Sequence, residues 1–231
     1  MPDLPLFNRQ QCETVRAATT LDLGALADEV VEVSERIELS DDQSAHSLFA
    51  DAVASFERAE LVFDAADEPD DFADATAAIG TGRFRFACVR ARLDHASIPE
   101  AMQPCFFDPR HGPAVRLIVW TPPHGDPRTV PTCAYDAELV EADVQPEPRT
   151  FAIDEELIPY WDAPLYFVPW FSGFFESVRG CPAASLLAGL PLGEGFAEAA
   201  QDEADDEVIS RKEIRDRWLG YGPDSEDEPE P

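Results

Sequence analysis

Two Cys-x2-Asp pairs, Cys105 with Asp108 and Cys133 with Asp136, flank a stretch patterned as a β-hairpin that runs directly into a helix. These distant thiols come side by side only if the chain folds as a knuckle, a two-stranded ribbon and a helix, so their placement constrains the middle of the chain more than any other feature. Structural zinc modules put Cys-x2-Cys pairs at these places because a tight knuckle aims two thiolates at one tetrahedral ion. Here each pair keeps its first thiol and has a carboxylate where the second would stand. Three readings use the same two thiols. In the first, Cys105 and Cys133 bind zinc with His111 and either Asp136 or Asp108, since thiolate, imidazole and carboxylate are all zinc ligands. In the second, the module has lost its metal and is held by a Cys105–Cys133 disulfide or by thiol packing. In the third, a metal with an open coordination position performs hydrolytic or redox chemistry, with His111 or His124 as ligand or base.

The elements on either side follow from hydrophobic periodicity. Residues 1–38 form a helical segment, with a short helix over 10–18 and a second over 21–38 carrying Leu23, Leu26, Val30, Val33 and Ile37 on one side. From Ala45, the residues Phe49, Ala52, Phe56, Ala59 and Phe63 step alternately by four and three. That is the spacing of a helix seam packing on a partner. Ser40, Asp41 and Asp42 provide its cap and negative start. A turn at 67–71 precedes a second seam through Phe72, Ala75, Ile79, Gly82, Phe86, Val89 and Leu93, so residues 39–98 read as an antiparallel helical hairpin. The glycines at 80 and 82 each weaken a helix by about 1 kcal/mol relative to alanine. The module spans 105–148, with strands over 114–120 and 128–132 and a helix over 134–142. An aromatic and apolar extension covers 149–200. An acidic tail with a short helix over 208–219 covers 201–231. The fold class expected is α+β: a helical hairpin, a small treble-clef-like ββα unit and an aromatic extension.

Composition excludes several function classes. Acidic residues number 47 against 17 basic ones, for a net charge of -30, and Lys212 is the only lysine. Such a surface repels itself in dilute salt and is screened in concentrated salt, which predicts a protein of a salt-loaded cytoplasm. Nucleic acid is not an expected partner, because phosphate contacts need a basic stripe and none is present. No charged start followed by an apolar run marks an export signal, and the aromatic segment is broken by Pro159, Pro164, Pro169 and Gly173 into pieces too short to span a membrane. Five scattered cysteines do not make a secreted disulfide framework. Cys88 reads as an inert buried thiol, and His46 and His95 as solvated. No nucleotide loop, nucleophile elbow or His-Glu-x2-His helix occurs.

The words Cys-Phe-Phe-Asp-Pro-Arg-His-Gly-Pro at 105–113, Val-Trp-Thr-Pro-Pro at 119–123, Val-Pro-Thr-Cys-Ala-Tyr-Asp-Ala at 130–137 and Pro-Tyr-Trp at 159–161 resemble a family of high-GC Gram-positive bacteria. In that family a helical hairpin precedes the same cysteine module, and a Gly- and aromatic-rich tail follows it. The resemblance covers roughly residues 45–195 and implies no particular activity. It implies that the position of Asp108 accepts asparagine, which favours Cys105, His111, Cys133 and Asp136 as the ligand set.

The functional expectation is a non-enzymatic interaction or scaffolding protein with no organic cofactor and, in the metal-binding reading, zinc. Its dense aromatic strip, Tyr160–Phe175, would either dock on a protein partner or fold back over the hairpin and the module. The alternatives are a zinc protein or metal-dependent hydrolase built on Cys105, His111 and Cys133, and a peripheral membrane protein attached through the strip and Leu186–Leu192.

Overall fold

The computed structural model describes residues 9–68, 70–100, 103–122, 127–153 and 156–175. The apolar run Leu186–Leu192, Cys181, the helix expected over 208–219, the acidic tail and His124 lie outside the described residues. Three long helices come first: α1 (Arg9–Glu38), α2 (Gln43–Ala65) and α3 (Asp71–Leu93). Then β1 (Arg116–Trp120) and β2 (Arg128–Thr132) pair antiparallel, with Arg116 opposite Thr132 and Trp120 opposite Arg128. The helix α4 (Ala134–Glu141) follows, then the antiparallel pair β3 (Thr150–Ile153) and β4 (Glu156–Pro159), and finally α5 (Val168–Phe174). The architecture is helical with two small antiparallel sheets. Among the described residues no helix is long and apolar enough to cross a membrane.

The two seams meet as a hairpin. Ala45, Ala52 and Ala59 of α2 are fully buried, and the larger Phe49, Phe56 and Phe63 pack from the sides. Phe49 meets Phe86 edge-on at 6.2 Å, and Phe63 meets Phe72 at 6.4 Å, so large and small residues alternate across the contact. Asp42 caps α2 by accepting from Ser44 N and Ala45 N. In the connecting turn Asp71 accepts from Asp67 N and Glu68 N, which holds its carboxyl below the usual range.

The first helix departs from expectation. It runs unbroken through residues 19 and 20 because Thr19 and Thr20 return their hydroxyls to the carbonyls of Val15 and Arg16, at 2.9 and 2.8 Å. This local bond lets a residue with modest helix propensity stay inside the helix. Gly82 also has a packing reason: a Cβ there would lie 2.8 Å from Leu26 Cδ2 of α1.

The aromatic strip is core. Tyr160, Phe167, Trp170, Phe171, Phe174 and Phe175 are each at most 2% exposed, and Trp161 is 8% exposed. Docking of the Tyr160–Phe175 strip on a partner or a membrane is therefore corrected: the strip folds back and is buried within the chain. The cause is its wealth of aromatic partners. Tyr160 alone lies against Phe106, Trp161, Trp170, Phe171 and Phe175, with centroids 5.0–6.0 Å away. Burying side chains of this size favours the folded state by roughly 1.5–3 kcal/mol each.

Close approach of α5 to α3 makes this layer possible. A Cβ on Gly173 would overlap Thr76 Oγ1 and the Ala73 carbonyl, while Thr76 Oγ1 donates to Trp170 O at 3.0 Å. Backbone atoms cannot swing aside, so Gly173→Ala is expected to lower stability by at least about 1–3 kcal/mol. Chemical denaturation would check this, and an unchanged midpoint would contradict the packing.

Candidate metal centre

The site is built on the knuckle that precedes β1. Cys105 N donates to Gly112 O at 3.0 Å, Gly112 N to Pro109 O at 3.2 Å, and Phe106 N to Pro131 O of β2 at 2.8 Å. The next two side chains anchor it from below. Phe106 and Phe107 are both fully buried; Phe106 stacks on Trp161 at 5.5 Å, and Phe107 meets Trp120 at 5.2 Å. The Tyr160 hydroxyl donates to Phe106 O at 2.7 Å, and Arg149 N donates to Phe107 O, also at 2.7 Å. Cys105 is thus the residue beside a double aromatic anchor, and its direction is set by the core.

Cys133 comes from the other side, as the N-cap of α4. Its backbone is extended, and its sulfur accepts from Asp136 N at 3.4 Å. Asp136 lies in the first turn of α4, where the unpaired amides favour a negative side chain. A single oxygen, Asp136 Oδ2, then collects three neighbours: His111 Nδ1 at 2.8 Å, Cys105 Sγ at 3.0 Å and Cys133 Sγ at 3.3 Å. Cys133 Sγ lies 3.8 Å from His111 Nδ1. All four potential ligand atoms fall within 4.8 Å of one another. Cys105 and Asp136 are buried, Cys133 is 9% exposed and the His111 side chain is 37% exposed. Cys105 and Cys133 are free thiols, so the disulfide alternative does not describe this structure.

Asp108 does something else. Its carboxylate accepts from Arg110 N at 2.8 Å and is paired with the Arg110 guanidinium, at 2.6 Å from Nη2. It caps the short turn Pro109–His111 and stands apart from the four clustered atoms.

The electrostatics are those of a site crowded with proton-sharing groups. Hydrogen bonds with Asp136 and Cys133 push His111 up to about 10. The hydrogen bond with Cys105, aided by the one with His111, brings Cys133 down to about 5, whereas the bond with Cys133 and burial push Cys105 up. Burial is the largest single influence on Asp136 and raises it, but bonds from His111, Cys105 and Cys133 outweigh it and leave the carboxyl lowered. Protons thus hold together one thiolate, one carboxylate, one thiol and one imidazolium.

A charged network under the knuckle escapes a motif search. Asp22 of α1 is fully buried, accepts from Arg149 Nε at 3.2 Å and Trp170 Nε1 at 2.9 Å, and is pushed up by burial despite these partners. Arg83 of α3 donates to Glu29 Oε1 at 2.8 Å, to Asp22 O at 2.9 Å and to Arg110 O at 2.7 Å. Arg83 therefore ties two helices to the knuckle one residue from His111. The available signal was periodicity: Asp22 falls four residues from both Ala18 and Leu26, and Arg83 four from Ile79, on faces that are otherwise apolar.

The four converging side chains suit a zinc ion. Ligands of tetrahedral zinc sit at roughly 2.0–2.3 Å from the metal and hence roughly 3.2–3.8 Å apart. Here the separations of His111, Cys105 and Cys133 from Asp136 and of Cys133 from His111 run from 2.8 to 3.8 Å, and all four atoms lie within 4.8 Å of one another. The donor set of two sulfurs, an imidazole nitrogen and a carboxylate oxygen is one zinc accepts. Compared with known protein families, with curated proteins and with solved structures, the chain matches none.

Proposed function

We propose that this is a non-enzymatic zinc protein, in which Cys105, His111, Cys133 and Asp136 hold a structural ion that pins a treble-clef-like unit to a helical scaffold. The observation that carries the reading is the convergence of all four ligand atoms within 4.8 Å, from residues 31 positions apart in the chain at the extremes. Four protein ligands fill a tetrahedron and leave no position for a substrate, which separates a structural site from a catalytic one. Bound zinc would replace the two shared protons, of the Cys105 thiol and the His111 imidazolium, and offset two of the three negative charges of the resulting thiolates and carboxylate. The order of knuckle, β1–β2 ribbon and α4 supports the treble-clef comparison.

Elemental analysis paired with thiol counting on the purified native chain tests this. The expected result is about one zinc per chain and two of the five cysteines protected until a chelator is added. Protein that contains no zinc and takes none up from a buffered zinc solution would rule the reading out.

The acidic composition supports a second element of the proposal, adaptation to concentrated salt. With a net charge of -30, self-repulsion weakens as the Debye length falls from about 10 Å at 0.1 M to about 3 Å at 1 M. The melting temperature is expected to climb by several degrees over that range of potassium chloride. A flat or falling curve would remove the halophile reading and leave the zinc reading standing.

A further inference from the structure

A cleft of about 740 Å³ lies between α2, α3 and α5, away from the cysteine cluster. Its size is that of a small-molecule site. Ala54, Ala77 and Val62 supply the apolar part of the lining, and Ser55, Thr81 and Ser172 bring a hydroxyl from each of the three helices, those of Ser55 and Thr81 donating to Asp51 O and Ala77 O. Two arginines line it, Arg58 from α2 and Arg85 from α3.

These arginines are unusual for this chain. Acids outnumber bases 47 to 17, and arginines elsewhere, such as Arg36, Arg90, Arg92 and Arg116, have carboxylates within 4.0 Å. Among the described residues Arg58 and Arg85 have no carboxylate within that distance, although Asp51 and Asp74 line the same cleft. Like Arg83 Nε, Arg85 Nε is shielded from solvent and has no hydrogen-bond partner, but whereas Arg83 pairs through its other nitrogens, no other nitrogen of Arg85 is paired among the described residues. A buried guanidinium N–H with no acceptor is costly, and native structures keep few of them. Arg85 as a whole is only half-buried, and the donors it can offer a ligand in the cleft are its Nη groups.

We infer that this cleft binds a small ligand through one phosphate or carboxylate group held by Arg58 and Arg85. The guanidinium fork suits an oxyanion because two parallel N–H donors match two oxygens. Asp51 and Asp74 line the same cleft, and their charge disfavours extended polyanions and so favours a ligand of compact charge. The site is independent of zinc and shares no residue with the metal centre.

Equilibrium dialysis of the full chain at fixed potassium chloride, with inorganic phosphate in one arm and succinate in the other, tests the inference. Saturable binding in either arm, weakened about tenfold or more by Arg85→Gln and by Arg58→Gln, is the expected result, and the arm that binds names the headgroup. Without a probe, Arg85→Gln should melt no lower than the native chain, because it removes an unsatisfied buried donor. If Arg85→Gln fails to fold, exposed Arg58 decides alone. No saturable binding in either arm, or binding that survives Arg58→Gln at full strength, overturns the site.

Discussion

Cys133→Ser is expected to abolish stoichiometric zinc while leaving α4 in place. Position 133 has two duties, a ligand sulfur and the N-cap of α4. Serine is among the best caps but a poor zinc ligand, so it separates the two. The zinc content should drop from about one per chain to none. Stability in excess zinc should fall by RT ln(1 + [Zn]/Kd), about 4 kcal/mol at a thousandfold excess over Kd. In zinc-free buffer Cys133→Ser should lose only what the thiolate gains from His111 and Cys105, and Cys133→Ala should fall about 0.5–2 kcal/mol further because it also loses the cap. Equal zinc uptake by parent and Cys133→Ser would end the assignment of the sulfur.

The same site makes the stability of the zinc-free chain and its zinc affinity depend on pH. In the zinc-free chain His111 is raised to about 10, so its contribution to stability is complete below its ordinary 6.5 and is lost as pH rises through about 10. Cys133 is lowered to about 5, so its contribution is complete above its ordinary 9.0 and is lost as pH falls through about 5. Near neutrality the imidazolium and the Cys105 thiol both carry protons that zinc must displace. Zinc binding should therefore release about two protons per ion between roughly pH 6 and 9, and affinity should fall about a hundredfold per unit of acidification. Calorimetry in buffers of different ionisation enthalpy reads the number directly, and release of none would contradict the proton-sharing cluster.

Asp22→Ala is expected to lower stability by about 3–5 kcal/mol, because it strands Arg149 in the core with its charge unmatched. The Asp22 side chain is 1% exposed and that of Arg149 is 6% exposed, so water cannot take the place of the lost carboxylate. The Trp170 indole N–H loses its acceptor as well. Asp22→Asn keeps a hydrogen-bond acceptor for Trp170 and should cost less, while still leaving the guanidinium uncompensated. Because Arg149 N also holds Phe107 O, loss of this pair should loosen the knuckle and weaken zinc retention. Denaturant melts of both variants with and without zinc would check it. A loss in Asp22→Ala below about 1 kcal/mol would show the pair to be near break-even.

Local spacing settled much of the secondary structure. The alternating steps from Phe49 to Phe63 and from Phe72 to Leu93 determined the helical hairpin, because a seam of period near 3.5 has one compact solution when two copies are joined by a short turn. The strand over 128–132 and the helix beginning at 134 follow from alternation and from a first turn bearing Asp136. The continuity of α1 was not legible, since the hydroxyl-to-carbonyl bonds of Thr19 and Thr20 are invisible to propensity.

What only the tertiary structure decided lies between elements. Whether the strip from Tyr160 to Phe175 faced a partner or the core depended on the rings of Phe106, Phe151 and Trp120 being there to receive it, and those come from three separate segments. Likewise, the choice between Asp108 and Asp136 beside the thiols turned on Arg110, which claims the first carboxylate and leaves the second to His111 and the two sulfurs. Period and turn chemistry act over a few residues and are written in order along the chain. Burial of a ring and the partner of a charge depend on which groups from distant segments are brought together, and that is a property of the fold alone.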